Sequence, residues 1–198
     1  SDEEAHLLSH ALYLLAKWRE PRACPLVLRW LSMPEDVTEI LTGDILTQDG
    51  ARILAAVYDG DLPAIRQLIL DREADEFSRA IAIGGLALLA VWKEVPRAMI
   101  VEELLLLARE RLERIPSYVW GALASRCVDI EAIEVLPELR RAHDEGLIDP
   151  SDIDWSEVEE MERSSTGVLV AETREREPPI DNVAEATAWW GNYYMGGG

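Results

Sequence analysis

Apolar residues recur at spacings of three and four through nearly every segment of the chain as far as about Met161. This is the period of an amphipathic helix, and turns rich in proline, glycine and aspartate interrupt it at short intervals. The pattern predicts helices over about residues 3–18, 22–32, 36–42, 47–58, 62–72, 75–92, 97–113, 117–128, 131–145 and 151–163.

The helical segments resemble one another. Ala23, Ala64, Ala98 and Ala132 each stand near the start of an amphipathic helix, at spacings of 41, 34 and 34 residues. A period in this range is typical of stacked helix pairs, because a single pair cannot bury both of its apolar faces. We therefore predict an all-α fold, an α-α superhelix (solenoid) of four to five antiparallel helix pairs of the HEAT, armadillo or TPR kind.

Local signals predict how some of these helices begin and pack. Asp61 is expected to cap the helix that follows it, because its carboxylate can accept hydrogen bonds from free first-turn amides. Ser117 and Asp129 are expected to cap helices in the same way. Gly84 and Gly85 lie inside a strong helical pattern, where each costs about 1 kcal/mol relative to alanine. Close packing against a neighbouring helix is the expected reason, with a kink as the alternative.

The character of the sequence changes after Ser164. Residues 166–177 combine a short apolar patch with alternating charges, and Pro178 and Pro179 end any helix there. A last short helix is predicted from Asp181, followed by an aromatic cluster. We therefore divide the chain into a helical-repeat domain, residues 1–165, and an acidic and aromatic C-terminal tail, residues 166–198, that docks on the last repeat.

The net charge of −19 is concentrated in the C-terminal third of the chain. Residues 1–128 hold 20 acidic and 14 basic side chains, whereas residues 129–198 hold 18 acidic and 5 basic ones. A negative field repels phosphate backbones, and no basic cluster offsets it, so nucleic acid is not an expected partner. Basic proteins or peptides are the expected partners, and the alternative is that the charge serves only to keep the surface hydrated.

Neither a membrane span nor a redox motif is predicted. The longest uncharged stretch, Ala80–Trp92, is shorter than the roughly 20 residues that cross a bilayer, and no secretory leader opens the chain. Cys24 and Cys127 lack metal-binding or redox spacing, so they are predicted to be free, buried thiols. Both observations favour a protein of the cytoplasm, which is a reducing compartment.

Several short strings resemble those of one bacterial family. They are the segments 43–47 (Gly-Asp-Ile-Leu-Thr), 53–55 (Ile-Leu-Ala), 57–61 (Val-Tyr-Asp-Gly-Asp), 74–79 (Ala-Asp-Glu-Phe-Ser-Arg) and 178–181 (Pro-Pro-Ile-Asp) with the Trp-Trp pair that follows. The family is catalogued as domain of unknown function 1186, and the similarity runs from about Met33 to Arg163 and again at the C-terminal end. The resemblance implies helical repeats and no assigned activity. Some members end in a Cys- and His-rich zinc motif, which this chain lacks because no cysteine follows Cys127.

The candidate catalytic and metal-binding groups form no recognisable motif. His6 and His10 are four residues apart on one helix face, but the glutamate that a zinc-protease signature requires after the first histidine is absent. His143 stands alone in a charged stretch. Asp59, Gly60 and Asp61 are interpreted as a turn with a cap rather than as a calcium loop. No catalytic residue, cofactor or metal is predicted.

Binding is therefore the expected function, and the protein is not expected to be an enzyme. We predict a non-catalytic scaffold or adaptor for a protein or peptide. The alternative is an enzyme whose site is assembled in three dimensions from histidines and carboxylates, possibly around a metal. Self-association through the tail is a further expectation, because Trp and Tyr dominate binding hot spots. The predicted partner-binding residues are Glu102, Glu103, Glu134, Glu138, Trp189, Trp190, Tyr193 and Tyr194.

Overall fold

The computed structural model describes residues 2–33, 45–164 and 167–188 of the chain. The helix predicted over residues 36–42 lies outside them. The described residues form eleven α-helices and no strand, which confirms the all-α class. The helices are α1 (Asp2–Lys17), α2 (Cys24–Leu31), α3 (Ile45–Ala56), α4 (Leu62–Leu70), α5 (Glu76–Val91), α6 (Arg97–Leu106), α7 (Tyr118–Asp129), α8 (Leu136–Asp144), α9 (Trp155–Ser164), α10 (Val168–Arg176) and α11 (Val183–Ala186).

Short irregular turns extend three of these helices. The 3₁₀ turns Pro21–Ala23 and Ile133–Val135 lead into α2 and α8, and the π-helical turn Leu107–Arg111 continues α6. The helices predicted over 22–32, 97–113 and 131–145 therefore have the correct positions but are not uniform α-helix. The helix predicted over 151–163 begins four residues late, at Trp155.

Helices α1 to α9 lie in two rows. In the first row, α1, α3, α5, α7 and α9 each contact the next helix of the same row. In the second row, α2 contacts α4, α6 contacts the 3₁₀ turn before α8, and the π turn contacts α8. The four alanines that define the sequence period all stand at the starts of second-row elements. The period therefore follows the alternation between rows.

Helix α5 is the centre of the core. It is buried without interruption from Ser78 to Leu89, and it contacts α3, α4, α6 and α7. A methyl group at Gly84 would lie 2.9 Å from Cβ of Ala51, and one at Gly85 would lie 3.0 Å from a Leu54 methyl. The predicted close packing is thus confirmed, and the close neighbour is α3. Helix α5 tolerates both glycines because they let α3 approach.

The predicted caps had mixed outcomes. Asp61 does cap α4, since its carboxylate accepts a hydrogen bond from the Ala64 amide at 3.1 Å. The prediction for Ser117 was wrong, because its hydroxyl makes no capping bond and the Tyr118 amide instead donates to Glu76 at 3.0 Å. The prediction for Asp129 was also wrong. It is the last residue of α7, and its carboxylate binds side chains of a later segment.

That later segment crosses the first row, and we call residues 167–188 the strap. Helix α10 contacts α5 and α7, and α11 contacts α1. Between them the backbone oxygens of Glu177 and Pro178 accept hydrogen bonds from Trp92 and from Arg52, both at 2.9 Å. The short helix predicted after Asp181 is present, with Asn182 as its cap. The strap therefore links helices that are far apart in the row.

Helix α10 was missed by the sequence patterns because its cap comes from elsewhere in the chain. The carboxylate of Glu131 accepts hydrogen bonds from the amides of Gly167 at 2.7 Å and Leu169 at 3.0 Å. Glu131 is buried and has a φ of 51°, and Gly167 has a φ of 81°. A carboxylate at a helix N-terminus satisfies free amides and opposes the helix dipole. The helix therefore depends on a residue 36 positions earlier.

Candidate binding groove

A groove lies on the first row where α3, α5 and α7 meet the end of α10. It encloses about 160 Å³, a size that suits one side chain rather than a larger ligand. We call this site the groove and define it by its lining: Gln48, Ala51, Phe77, Ala80, Ile81, Tyr118, Gly121, Ala122, Ser125, Arg126, Asp152 and Glu177.

Asp152 lies directly against the backbone of α7, at a glycine. A methyl group at Gly121 would be 2.4 Å from Cβ of Asp152 and 2.7 Å from its Oδ2. Only the absence of a side chain at Gly121 lets the carboxyl group lie there. Within the described residues, no hydrogen bond or ion pair reaches the Asp152 carboxylate. The groove thus holds an acidic group that its own surroundings leave unpaired.

The surroundings of Asp152 disfavour its charge. Burial raises the pKa of Asp152, and the carboxylates of Asp149 and Glu76 raise it further. Perturbed pKa values of this kind cluster at functional sites. A cation entering the groove would relieve this cost.

Two aromatic rings form one end of the groove. The centroids of Phe77 and Tyr118 are 4.7 Å apart, and the rings are tilted by 45°. Both side chains are more than a third exposed, although they are large and apolar. Glu76 fixes this pair, because it precedes Phe77 on α5 and accepts the Tyr118 amide at the start of α7. An aromatic surface beside a carboxylate is suited to a cationic side chain.

Arg126 forms the other end of the groove. Its guanidinium crosses α5 at Gly84, where a methyl group would lie 3.2 Å from Nε. It donates to Asp129 at 3.0 Å and to Glu177 of the strap at 2.6 Å. These two carboxylates raise the pKa of Arg126 against the effect of its burial. Arg126 therefore joins the floor of the groove to the strap.

Asp129 anchors the strap to α7. Its carboxylate accepts from Thr173 at 3.1 Å and from Arg176 at 2.6 Å, in addition to Arg126. Both Asp129 and Thr173 are buried. With Glu177, these side chains form a compact ion-pair cluster at the edge of the groove. This cluster fixes Glu177 where it lines the groove.

A larger polar pocket adjoins the groove beneath the strap. It has a volume of about 740 Å³ and shares Gln48, Arg126 and Glu177 with the groove. Its outer side is formed by the strap from Glu175 to Asn182 together with Glu185 and Ala186. The two spaces together make a continuous depression along the first row.

The acidic residues predicted to bind a partner lie mainly on the second row. Glu103 is buried and forms a bidentate ion pair with Arg66. Glu134 forms one with Arg97 at 2.9 and 3.0 Å.

Glu138 binds Arg109 at 3.1 Å, while Glu102 is exposed. A basic partner at the three paired sites would have to displace an arginine of the chain, so a partner role for these four residues stays a prediction. Trp189, Trp190, Tyr193 and Tyr194 lie outside the described residues.

The remaining candidates have ordinary structural roles. His143 stacks on Trp155, with ring centroids 4.1 Å apart, and Asp59 and Asp61 accept backbone amides in a turn. The side chain of His6 lies outside the described residues. In the part of the chain that is described, no group of three His, Cys, Asp or Glu residues could hold a metal ion.

Both cysteines are free and buried, as predicted. Burial raises the pKa of Cys24 to about 11, and it raises that of Cys127 further. The two thiols therefore stay protonated at neutral pH, and neither has the depressed pKa of a reactive cysteine.

Sequence patterns alone did not identify the groove. Asp152 and Gly121 are 31 positions apart, and no spacing rule joins them. Phe77 belongs to a string that carries the family resemblance, but Tyr118 gave no signal. One signal could have indicated this site. Phe77 and Tyr118 are aromatic residues at the starts of α5 and α7, two successive helices of the first row.

The described residues form an all-helical protein with a groove on its first row of helices. The chain belongs to the family described as protein of unknown function (DUF1186), whose model matches residues 1–194. This match is wider than the similarity expected from the sequence strings, and it includes the strap. The HEAT or armadillo description of the repeats is not part of what the match shows.

Two chlamydial proteins are similar to this chain. One, an uncharacterized protein of Chlamydia muridarum, is 32% identical over 188 residues, which are 94% of this chain and 74% of that protein. Another, from Chlamydia trachomatis, is 35% identical over 156 residues, which are 79% of this chain and 61% of that protein. No solved structure matches the chain. None of the described helices has the length and apolar character needed to cross a membrane.

Proposed function

We propose that this protein is a non-catalytic adaptor that binds a basic segment of a protein or peptide in the groove. A lysine or arginine side chain of the partner lies against the exposed faces of the contacting Phe77 and Tyr118 rings and pairs with Asp152. The unpaired, partly buried carboxylate of Asp152 is the observation that carries this proposal.

Electrostatics favours this occupant over an anionic or neutral one. Burial raises the pKa of Asp152, and the nearby carboxylates of Asp149 and Glu76 raise it further, so the site disfavours an additional negative charge. The one guanidinium in the groove, Arg126, is already bound to Asp129 and Glu177. A cation placed beside Asp152 gains a charge-assisted hydrogen bond and a contact with an aromatic face.

The architecture belongs to the same proposal. The two rows of helices, in which each first-row helix contacts the next, support an α-α superhelix of four to five helix pairs. In such a fold one row lines a long surface, and its side chains can vary without disturbing the core. We place the adaptor in the cytoplasm, because free, buried thiols are typical of a reducing compartment.

Titration with a defined peptide tests the proposal. The probe is a ten-residue arginine–serine peptide, and its counterpart carries citrulline in place of arginine, which removes the charge but keeps the shape. We expect the arginine peptide to shift the amide NMR signals of Gly121, Asp152 and Ser125, and the citrulline peptide to leave them in place. The affinity should fall as salt is raised, because salt screens the attraction.

Matched variants separate the groove from the general acidity of the protein. Asp152→Asn and Glu110→Gln each remove one negative charge, the first inside the groove and the second from an exposed position of the second row. We expect about a tenfold loss of affinity for Asp152→Asn, corresponding to about 1.4 kcal/mol, and less than a twofold loss for Glu110→Gln. Equal losses would show that only net charge matters, and an unchanged affinity of Asp152→Asn would reject the groove.

A further inference from the structure

The outer face of α1 carries an uncovered apolar stripe. Leu7 is 71% exposed, Leu14 is 37% exposed and Trp18 is 67% exposed. Their spacings of seven and four residues place them on one side of the helix. Tyr13 and Ala16, on the opposite side, are fully buried in the core. A row of three large apolar side chains on one helix face is a binding surface rather than a scatter of single exposed residues.

The strap brings the C-terminal end of the described chain to this helix. It runs from α7 past Trp92 of α5 and Arg52 of α3, and its last helix, α11, contacts α1. Val183 and Ala186 of α11 pack against the core there. The next residues in the sequence are Trp-Trp-Gly-Asn-Tyr-Tyr-Met, which span 189–195. The most aromatic segment of the chain therefore follows directly after a contact with α1.

We propose that residues 189–195 dock on the Leu7–Leu14–Trp18 stripe of their own chain. The segment is long enough for this position, because seven extended residues span about 23 Å, whereas the stripe from Leu7 to Trp18 spans about 17 Å along the helix axis. Tryptophan and tyrosine rings bury a large apolar area and keep their polar atoms at the edge, which fits a stripe on the surface of the molecule. This docking is independent of the groove and of its ligand.

The path of the strap indicates which segment covers the stripe on α1. The sequence alone predicts that the tail docks on the last repeat, near α9. In the structure, α11 contacts α1, so the described residues end beside α1. A second copy of the protein would have to approach from solution, while the tethered segment is present at a high effective concentration. Docking on the same chain is therefore favoured over both alternatives.

Disulfide cross-linking tests this position directly. The variant combines Leu14→Cys with Tyr193→Cys, and diamide serves as the oxidant that accepts the two electrons and two protons of the thiols. The native thiols do not compete, because Cys24 and Cys127 are buried and burial raises their pKa values. We expect an intrachain cross-link that forms at least tenfold faster than in either of two control pairs.

The control pairs use exposed positions away from the stripe. Ile115→Cys stands near the start of α7 and Glu160→Cys lies on α9, and each is combined with Tyr193→Cys. A fastest reaction in the Glu160 pair would place the segment on the last helix pair. A cross-link between chains would assign the stripe to a second copy, and equal rates in all three pairs would show no docking. Each of these results would overturn the proposal.

Hydrogen exchange supplies a second measurement that needs no new thiol. Deletion of residues 189–198 should raise the exchange of α1 amides several-fold and leave α5 unchanged, because only α1 loses its cover. The variant Leu7→Gln/Leu14→Gln should have the same effect on α1, and adding the deletion to it should change little further. An α1 that exchanges equally with and without the segment would contradict the docking.

Discussion

The second row and the groove treat acidic side chains in opposite ways. On the second row, glutamates pair with arginines of the neighbouring element, as Glu103 does with Arg66 and Glu134 with Arg97. In the groove, Asp152 is left without such a partner by the described residues and lies near other carboxylates.

The pKa values report the same contrast. Arg97 lowers the pKa of Glu134, whereas burial raises the pKa of Asp152. The second row neutralises these charges internally, whereas the groove leaves the Asp152 carboxylate without a partner among the described residues. The net charge of the chain therefore does not show which carboxylates are paired. We therefore expect that removing a paired acid or its arginine destabilises the protein, while removing the unpaired acid stabilises it and impairs binding.

The largest effect is expected for Asp129→Ala in the ion-pair cluster. It leaves Arg126, Arg176 and Thr173 without their shared acceptor in a buried site, so the free energy of unfolding should fall by about 3 kcal/mol. Urea unfolding measures this loss. Limited proteolysis should also cleave the strap faster, and a strap that stays equally resistant would show that the cluster does not anchor it.

Arg66→Ala should have the next largest effect, because it strands the buried carboxylate of Glu103. We expect a loss of about 2 kcal/mol at neutral pH, measured by urea unfolding. The double variant Arg66→Ala/Glu103→Ala should recover part of that loss, since no unpaired charge remains. A double variant that is less stable than the sum of both singles would refute this account of the second row.

Gly121→Ala should alter both stability and binding. Its methyl group would clash with Cβ of Asp152, so the loop that carries Asp152 must move. We expect a loss of about 1.5 kcal/mol and a loss of peptide binding similar to that of Asp152→Asn. The control is Ala122→Ser, also in the groove lining but without this contact, which should bind normally. Full binding by Gly121→Ala would separate the position of Asp152 from the function.

The smallest effect is a gain of stability for Asp152→Asn. A raised pKa means that the folded state binds the proton more tightly than the unfolded state, so the ionised group costs stability once the pH exceeds its ordinary value of 3.8. Asp152→Asn should therefore be slightly more stable than wild type at pH 7. Thermal unfolding should show that this difference shrinks as the pH falls below 3.8, where the carboxyl group becomes protonated in both the folded and the unfolded state. A variant that is less stable than wild type at pH 7 would mean that Asp152 has a stabilising partner.

How much of this structure the sequence predicts depends on how far apart the cooperating residues stand. Asp61 directly precedes the helix that it caps, and two glycines inside a helical pattern indicate close packing by themselves. Both features were therefore predicted correctly. Helix α10 was missed because Glu131, far upstream, supplies its cap. Asp129 was misassigned as a cap because it ends α7, and two of the three side chains that donate to it, Thr173 and Arg176, lie in the strap.

The groove was beyond sequence patterns on physical grounds. Its defining contact joins a glycine of α7 to an aspartate in the loop before α9, and neither residue type is distinctive alone. The sequence shows that second-row helices are rich in glutamate, but it does not show that Glu103, Glu134 and Glu138 are paired with arginines. A sequence displays charges, whereas a site of this kind depends on which charges have been left without a counterion.

The course of the strap has a consequence for how the molecule unfolds. In a row where each helix contacts mainly its neighbours, one end can unfold while the other stays folded. The strap contacts α7, α5, α3 and α1 in turn, so it links helices that are far apart in the row. Detaching it should turn one cooperative unfolding transition into two. Stretching the molecule between α1 and α9 should therefore require more force before the strap releases than after it.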